Sequence, residues 1–226
     1  MFGEGEMREE RFKSKQRTIT VHDSKIYLFL KRLIDILGSL FGILICIPAF
    51  LIIACIIKLQ DGGPIIFKQR RVGKGGNIFD IYKFRSMQID AEVQKNSMLD
   101  QNEIEGAMFK IRNDPRVTKF GRFIRKTSLD ELPQFFNILL GDMSLVGPRP
   151  PLLEEVEIYS DYDKQRLLVT PGLSGLWQIS GRNNLSFDEM VFLDLKYIQT
   201  RSLLLDIKII VMTLWNMLTI KKNGAF

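Results

Sequence analysis

Histidine is almost missing from this chain: one copy, His22, occurs in 226 residues, in a polar tail. That removes histidine-based zinc sites, Ser-His-Asp triads and Cys-His pairs, so any acid, base or nucleophile has to be a carboxylate, lysine, tyrosine or hydroxyl. Cysteine is nearly as scarce. Cys46 and Cys55 both fall inside one apolar run, which excludes a disulfide framework and suits a reducing cytosolic setting. No GxxxxGK[ST] spacing occurs, and the glycine-rich stretch 73–77 has no helix signal directly after it, so it reads as a turn and not a phosphate loop. Basic stretches interleaved with aromatics, the kind that stack bases, are lacking as well, and nucleic acid is not the expected partner. A metal, if one takes part, is a hard cation on oxygen ligands, magnesium foremost.

What the chain does have is positive charge and one long apolar run. Thirty-two Lys and Arg against 26 Asp and Glu leave a net charge of +6, which points to an anionic membrane face or a phosphorylated substrate. Residues 1–26 form a polar, charge-mixed tail, expected to be poorly ordered or a surface helix. Residues 33–57 are apolar over a length that can cross a hydrocarbon core. Pro48 near the middle favours a break. Both flanks are basic, with Lys25, Lys31 and Arg32 before and Lys58, Lys68, Arg70 and Arg71 after. A straight span cannot put both flanks on the positive side of the membrane; a helix that breaks at Pro48 and returns to the same face can. The expectation is a re-entrant helix-break-helix over 27–60, with a plain transmembrane helix kinked at Pro48 as the alternative.

The remaining residues, 61–226, read as a soluble domain. The alternation in 65–70 and 78–84 about the 73–77 turn predicts a β-hairpin, whose Lys83 and Arg85 share one strand face. Residues 87–109 read as helix with a polar break, and Asp114 is placed to cap the basic segment 117–125. Residues 170–172 read as a turn and 176–179 as a short strand. Ser186-Phe187-Asp188-Glu189 is a capping box opening a helix to about Thr200. Residues 203–218 are apolar at helical spacing, too short to span, and read as a core or interfacial helix with Trp215 as an anchor.

Within this domain Asp130 and Glu131 stand together in Lys126-Thr127-Ser128-Leu129-Asp130-Glu131-Leu132-Pro133-Gln134. Ser128-x-x-Glu131 fits a capping box. The same carboxylates also follow a basic run, Arg122, Arg125 and Lys126, and so fit an active centre. Both readings stay open on spacing. Arg85, Arg125, Arg149 and Arg182 each sit near turn or strand-end chemistry, and forked guanidinium donors suit phosphate. Pro148 and Pro150 stiffen the segment that carries Arg149.

As an ordered set, these segments resemble the bacterial sugar transferases, monotopic phosphoglycosyl transferases that start glycan assembly. The resemblance runs from about residue 27 to the C-terminus, through Lys31-Arg32-Leu33-Ile34-Asp35, the 63–70 and 82–87 segments, 125–134, 141–150 and 171–178. It implies a helix-rich, mixed α/β fold: a re-entrant membrane anchor, and a catalytic domain with a small β-hairpin on the cytoplasmic face of the cell membrane. It implies transfer of sugar 1-phosphate from a UDP-sugar to undecaprenyl phosphate with release of UMP, the first membrane step of exopolysaccharide, capsule, O-antigen or glycoprotein glycan synthesis. By this resemblance Asp130 is the nucleophile of a phosphosugar-aspartyl intermediate, and Glu131, with Asp130, holds Mg²⁺. Arg125 and Arg149 contact the diphosphate or uridine, Pro148 and Pro150 fix Arg149, and Arg85 and Arg182 join the substrate set. Residues 176–182 are similar to members that transfer galactose or glucose 1-phosphate. A homo-oligomer is among the assemblies this reading allows. Two features depart from the family. Ile47-Pro48 stands where small members often have Ser-Pro, and a polar tail stands where larger members carry four membrane helices, so the expectation is a minimal catalytic unit. The alternative is a membrane-anchored module that binds anionic lipid or nucleic acid without catalysis. A glycosidase is disfavoured, since adjacent residues on one turn cannot flank a sugar ring from opposite faces.

Overall fold

The computed structural model describes residues 18–21, 24–101, 111, 113–181 and 185–218. Helix α1 (Lys25–Asp61) opens the described fold. It ends where Gly62 takes a left-handed conformation (φ 72°) and returns its N–H to the Lys58 carbonyl at 3.0 Å, a closure glycine permits at little steric cost. The helix is long and apolar enough to cross a membrane. Helical assignment continues through Pro48, so the expected interruption at that residue is corrected. A mid-helix proline costs one hydrogen bond and crowds the carbonyl four residues back, and packing on both sides of it holds the helix together.

That packing ties both halves of α1 to the same domain. Before Pro48, Lys31 donates to the Val146 carbonyl at 2.9 Å and pairs with Asp206 at 2.9 Å. Arg32 donates to the carbonyls of Ile138 (2.6 Å) and Leu139 (2.8 Å). Asp35, buried, accepts from the Ser144 hydroxyl at 2.9 Å and the Leu145 N–H at 2.8 Å. After Pro48, Ile53 and Ile57 are buried with Phe84, Ile124 and Leu132. Between them Leu37, Leu40, Phe41, Leu44, Ile45 and Leu51 are exposed.

Strands β1 (Ile66–Val72) and β2 (Ile78–Phe84) form the expected antiparallel hairpin, with Val72 opposite Ile78 and Ile66 opposite Phe84. A second small sheet was not legible in the sequence: β3 (Ser144–Val146) runs parallel to β4 (Gly172–Ser174). Residues 170–172 therefore feed a strand. A Cβ on Gly172 would lie 2.0 Å from the Gly147 nitrogen, so glycine is what lets these backbones approach.

Short helices fill the rest: α2 (Ala91–Lys95), α3 (Lys119–Lys126), α4 (Gln134–Leu140), α5 (Leu153–Glu157), α6 (Asp161–Lys164) and α7 (Leu176–Ser180). Within the segment expected as helix over 87–109, α2 is followed by a 3₁₀ stretch, Asn96–Gln101; residues 102–110 lie outside the described set. Residue 118, not 114, caps α3: the Thr118 hydroxyl accepts from the Gly121 N–H, while Asp114 accepts from the Arg116 backbone and guanidinium. The strand expected over 176–179 is helix α7. Its apolar residues pack on α8 (Phe187–Thr200), whose burial pattern overrides local β-propensity. The Ser186 capping box on α8 is present, with the Ser186 N–H on Glu189 at 2.8 Å. Helix α9 (Leu203–Leu218) follows, and exposes Leu204, Ile207, Val211, Leu214 and Trp215.

The largest core gathers around α8, with Val191, Leu195, Tyr197 and Ile198 buried against Val146, Val169 and Ile209. Ile19 is buried there too, its N–H on the Gln165 side chain at 2.6 Å. Residues 18–21 of the tail are thus neither a helix nor all solvated; residues 1–17 and His22 lie outside the described set.

Candidate active site

Five elements bring four cations and the buried carboxylate of Asp130 to a cleft of ≈ 550 Å³, which a second buried acid, Glu155, also lines. Lys83 comes from the end of β2 and Arg125 from the last turn of α3. Asp130 lies on a 3₁₀ turn, Leu129–Glu131, that joins α3 to α4. Arg71 comes from the end of β1, and Arg149 from the proline-flanked segment after β3. Asn137, fully buried on α4, fixes the spacing. Its side chain donates to the Asp80 carbonyl at 2.7 Å and accepts the Tyr82 N–H at 2.9 Å, which pins the helix after the acidic turn to the strand that carries Lys83.

Ser128 precedes the turn with φ 58°, the one non-glycine in the left-handed region among the described residues. Such a conformation costs energy for a residue with a Cβ and recurs at functional sites. It also undoes the capping-box expectation, since Ser128 makes no side-chain cap there. Glu131 Oε1 instead lies 2.8 Å from Lys83 Nζ. The local motif lost to a contact 48 residues away.

Asp130 is 8% exposed. Burial pushes its carboxyl up to about 6; Lys83 pulls it back, Glu131 adds to the rise and Arg125 opposes it. The result is a carboxylate that is ionised at neutral pH yet poorly hydrated, which makes it more nucleophilic than an exposed aspartate. Arg149 Nη1 reaches both Glu155 oxygens, at 3.2 and 3.0 Å. Burial alone would raise Glu155, but Arg149, the Leu152 N–H and Arg71 outweigh it and hold the acid low.

The sequence-predicted residues divide into three groups. Asp130, Arg85, Arg125 and Arg149 line the cleft. Within that group Arg85 is already engaged: its guanidinium holds both Asp61 oxygens, and its Nε donates to the Pro64 carbonyl at 2.7 Å. Glu131, Pro148 and Pro150 support the lining. The Pro148 carbonyl accepts the Gly172 N–H at 2.8 Å and the Pro150 carbonyl accepts from Arg71 at 3.1 Å, so the prolines hold Arg149 through their backbone. Arg182 lies outside the described residues. The strand spacing that pairs Lys83 with Arg85 is legible in the sequence, but it assigns Lys83 no role. Arg71 reads in the sequence only as part of a basic flank and Glu155 carries no site signal there, because tertiary packing is what brings both to the cleft. Among the described residues no group of three or more His, Cys, Asp or Glu side chains is assembled to hold a metal. The adjacent Asp130 and Glu131 carboxylates are a hard donor pair that fits an ion sharing its remaining sites with phosphate oxygens and water.

An apolar helix docked on a small α/β domain, with an acid turn facing guanidinium groups, is an arrangement suited to group transfer at phosphate. Residues 26–220 match the bacterial sugar transferase family, and the chain belongs to it. It is 52% identical over 216 residues to the galactosyl transferase CpsE of Streptococcus agalactiae, covering 93% of this chain and 47% of that protein. Identity is 44% over 202 residues to an undecaprenyl-phosphate galactose phosphotransferase of Salmonella typhimurium, covering 88% and 42%. It is 42% over 188 residues to the exopolysaccharide production protein ExoY of Rhizobium meliloti, covering 81% and 83%. The chain thus spans about half the length of the first two relatives.

Proposed function

We propose that the protein is a phosphoglycosyl transferase that moves a sugar 1-phosphate from a UDP-sugar to undecaprenyl phosphate at the cytoplasmic face of the membrane. The observation that carries this reading is Asp130: a buried carboxylate with a raised pKa, in a cleft whose lining includes Arg71, Lys83, Arg125 and Arg149. In the first step an Asp130 oxygen attacks the β-phosphorus, and the bond from that phosphorus to the bridging oxygen breaks, expelling UMP. In the second, a phosphate oxygen of the lipid attacks the same phosphorus and restores the Asp130 carboxylate. Splitting the exchange this way needs a nucleophile that is itself a good leaving group, which a carboxylate is. Guanidinium groups offset charge on the transferring phosphoryl. When bound, Mg²⁺ supplies further charge neutralisation; Asp130 and Glu131 are the residues that would hold it, and Lys83 positions Glu131. The names of the relatives favour galactose as the sugar.

The anchor reading follows from α1. A straight crossing would separate its ends by a membrane thickness, yet Lys31, Arg32 and Asp35 before Pro48 and Ile53 and Ile57 after it all pack on one domain. A helix bent about the Pro48 region, its exposed apolar middle in lipid and both ends on the cytoplasmic side, accommodates this. Helix α9, with Trp215 exposed, lies at the interface.

Release of UMP from UDP-galactose, with magnesium and undecaprenyl phosphate in detergent, tests the activity. Asp130→Asn should reduce it below detection, while Asp188→Asn, in the first turn of α8 and outside the cleft lining, should leave it unchanged. A binding module without catalysis would release no UMP from any UDP-sugar.

A further inference from the structure

Arg71 is a charged residue whose hydrogen bonding is unfinished. It is 9% exposed. Of the five N–H bonds of a guanidinium, Nη1 gives one to the Pro150 carbonyl at 3.1 Å and Nη2 one to Gln69 Oε1 at 2.6 Å. Its Nε is buried without a partner. Buried polar hydrogens are nearly always satisfied in folded proteins, and leaving one unsatisfied is costly. The charge is unbalanced too. Arg71 and Arg149 stand close enough to repel, and the acid between them, Glu155, is already engaged by Arg149. Burial, and then Arg149, lower the Arg71 guanidinium to about 9, which leaves it protonated at neutral pH.

The place matters as much as the deficit. Arg71, Arg149, Glu155 and Asp130 line one cleft. The backbone ties Arg71 to the Arg149 loop as well: the Val72 N–H donates to the Pro151 carbonyl at 2.9 Å. The two guanidinium groups are therefore built as a unit, with two positive charges, one negative charge and N–H donors to spare. An anion with several acceptor oxygens completes it, and a phosphate supplies both the charge and the acceptors.

We propose that Arg71 is a phosphate-positioning residue, its free N–H donors completing with Arg149 a seat for one substrate phosphate of the transfer reaction. This rests on the reading of the cleft as a phosphoglycosyl transferase site. The phosphate can come from the nucleotide or from the lipid acceptor, and binding measurements separate the two. Arg71→Lys keeps the charge and removes the fork. For this variant and the wild type, the affinities for UMP, uridine and a short-chain polyprenyl monophosphate are measured by calorimetry in detergent, without turnover. The expected result is a loss of about tenfold or more for one of the two phosphates, which also names the source, with uridine affinity unchanged. A variant that is merely misfolded loses uridine and UMP together, so the UMP-to-uridine ratio separates damage from a lost phosphate contact. Unchanged affinity for both phosphates would overturn the proposal. It would leave the role of Asp130 in UMP release standing, because that is read from turnover and not from binding.

Discussion

At the scale of single residues, the chemistry of Asp130 is set by what surrounds it more than by what it is. Its carboxyl ordinarily titrates at 3.8 and is raised to about 6 in the fold, with burial the largest cause. The folded state therefore binds a proton that the unfolded chain releases. This contribution to stability is fully present below about pH 4 and is lost as pH rises through about 6. In metal-free protein, Asp130→Asn should be more stable than the wild type at pH 7, by about 2–3 kcal/mol, and the difference should vanish near pH 4. Chemical unfolding in EDTA, followed by tryptophan fluorescence at both pH values, measures it; equal pH dependence in the two proteins would contradict the burial account. The acid pair was legible in the sequence, as were Arg125 and Arg149. Which carboxylate would be buried was not, because that depends on Lys83 taking Glu131 at 2.8 Å across 48 residues.

At the scale of elements, local signals held where the segment answers to itself and failed where packing decides. The β1–β2 hairpin and the Ser186 cap of α8 follow from alternation and from a reciprocal side-chain motif. Helix α7 and the β3–β4 pair do not: one is governed by its packing on α8, the other by parallel partners, Ser144 and Gly172, far apart in the chain. Helix α3, which carries Arg125, shows how tightly two elements can be set. A Cβ on Gly121 would lie 1.8 Å from the Ser86 carbonyl oxygen, so Gly121→Ala has to push α3 off the end of β2. The expected cost is about 2–3 kcal/mol, with a lower melting temperature and reduced UMP release as Arg125 shifts. The join between α1 and α9 is the other sensitive contact. Asp206 holds Lys31 at 2.9 Å and the Tyr197 hydroxyl at 2.6 Å, with Lys31 also on the Val146 carbonyl. Asp206→Ala leaves a shielded ammonium without its counter-ion and should cost about 3–5 kcal/mol, read as a drop in thermal midpoint.

At the scale of the whole molecule, the fold places a charged cleft next to an apolar helix, and on the proposed reading this lets a soluble nucleotide and a lipid phosphate meet at one interface. The re-entrant reading predicts that both flanks of α1 face the cytoplasm. With Cys46 and Cys55 replaced by serine, Thr20→Cys should resist an impermeant thiol reagent added to intact cells and react once the cells are opened; reaction in intact cells would show a crossing helix. The central claim is narrower and concerns Asp130 itself. Incubated with UDP-galactose and magnesium but without lipid acceptor, the wild-type protein should gain the mass of a hexose phosphate, on a peptide containing Asp130, while Asp130→Asn gains none. An adduct of equal yield in the Asn variant, or on a different residue, would contradict the account.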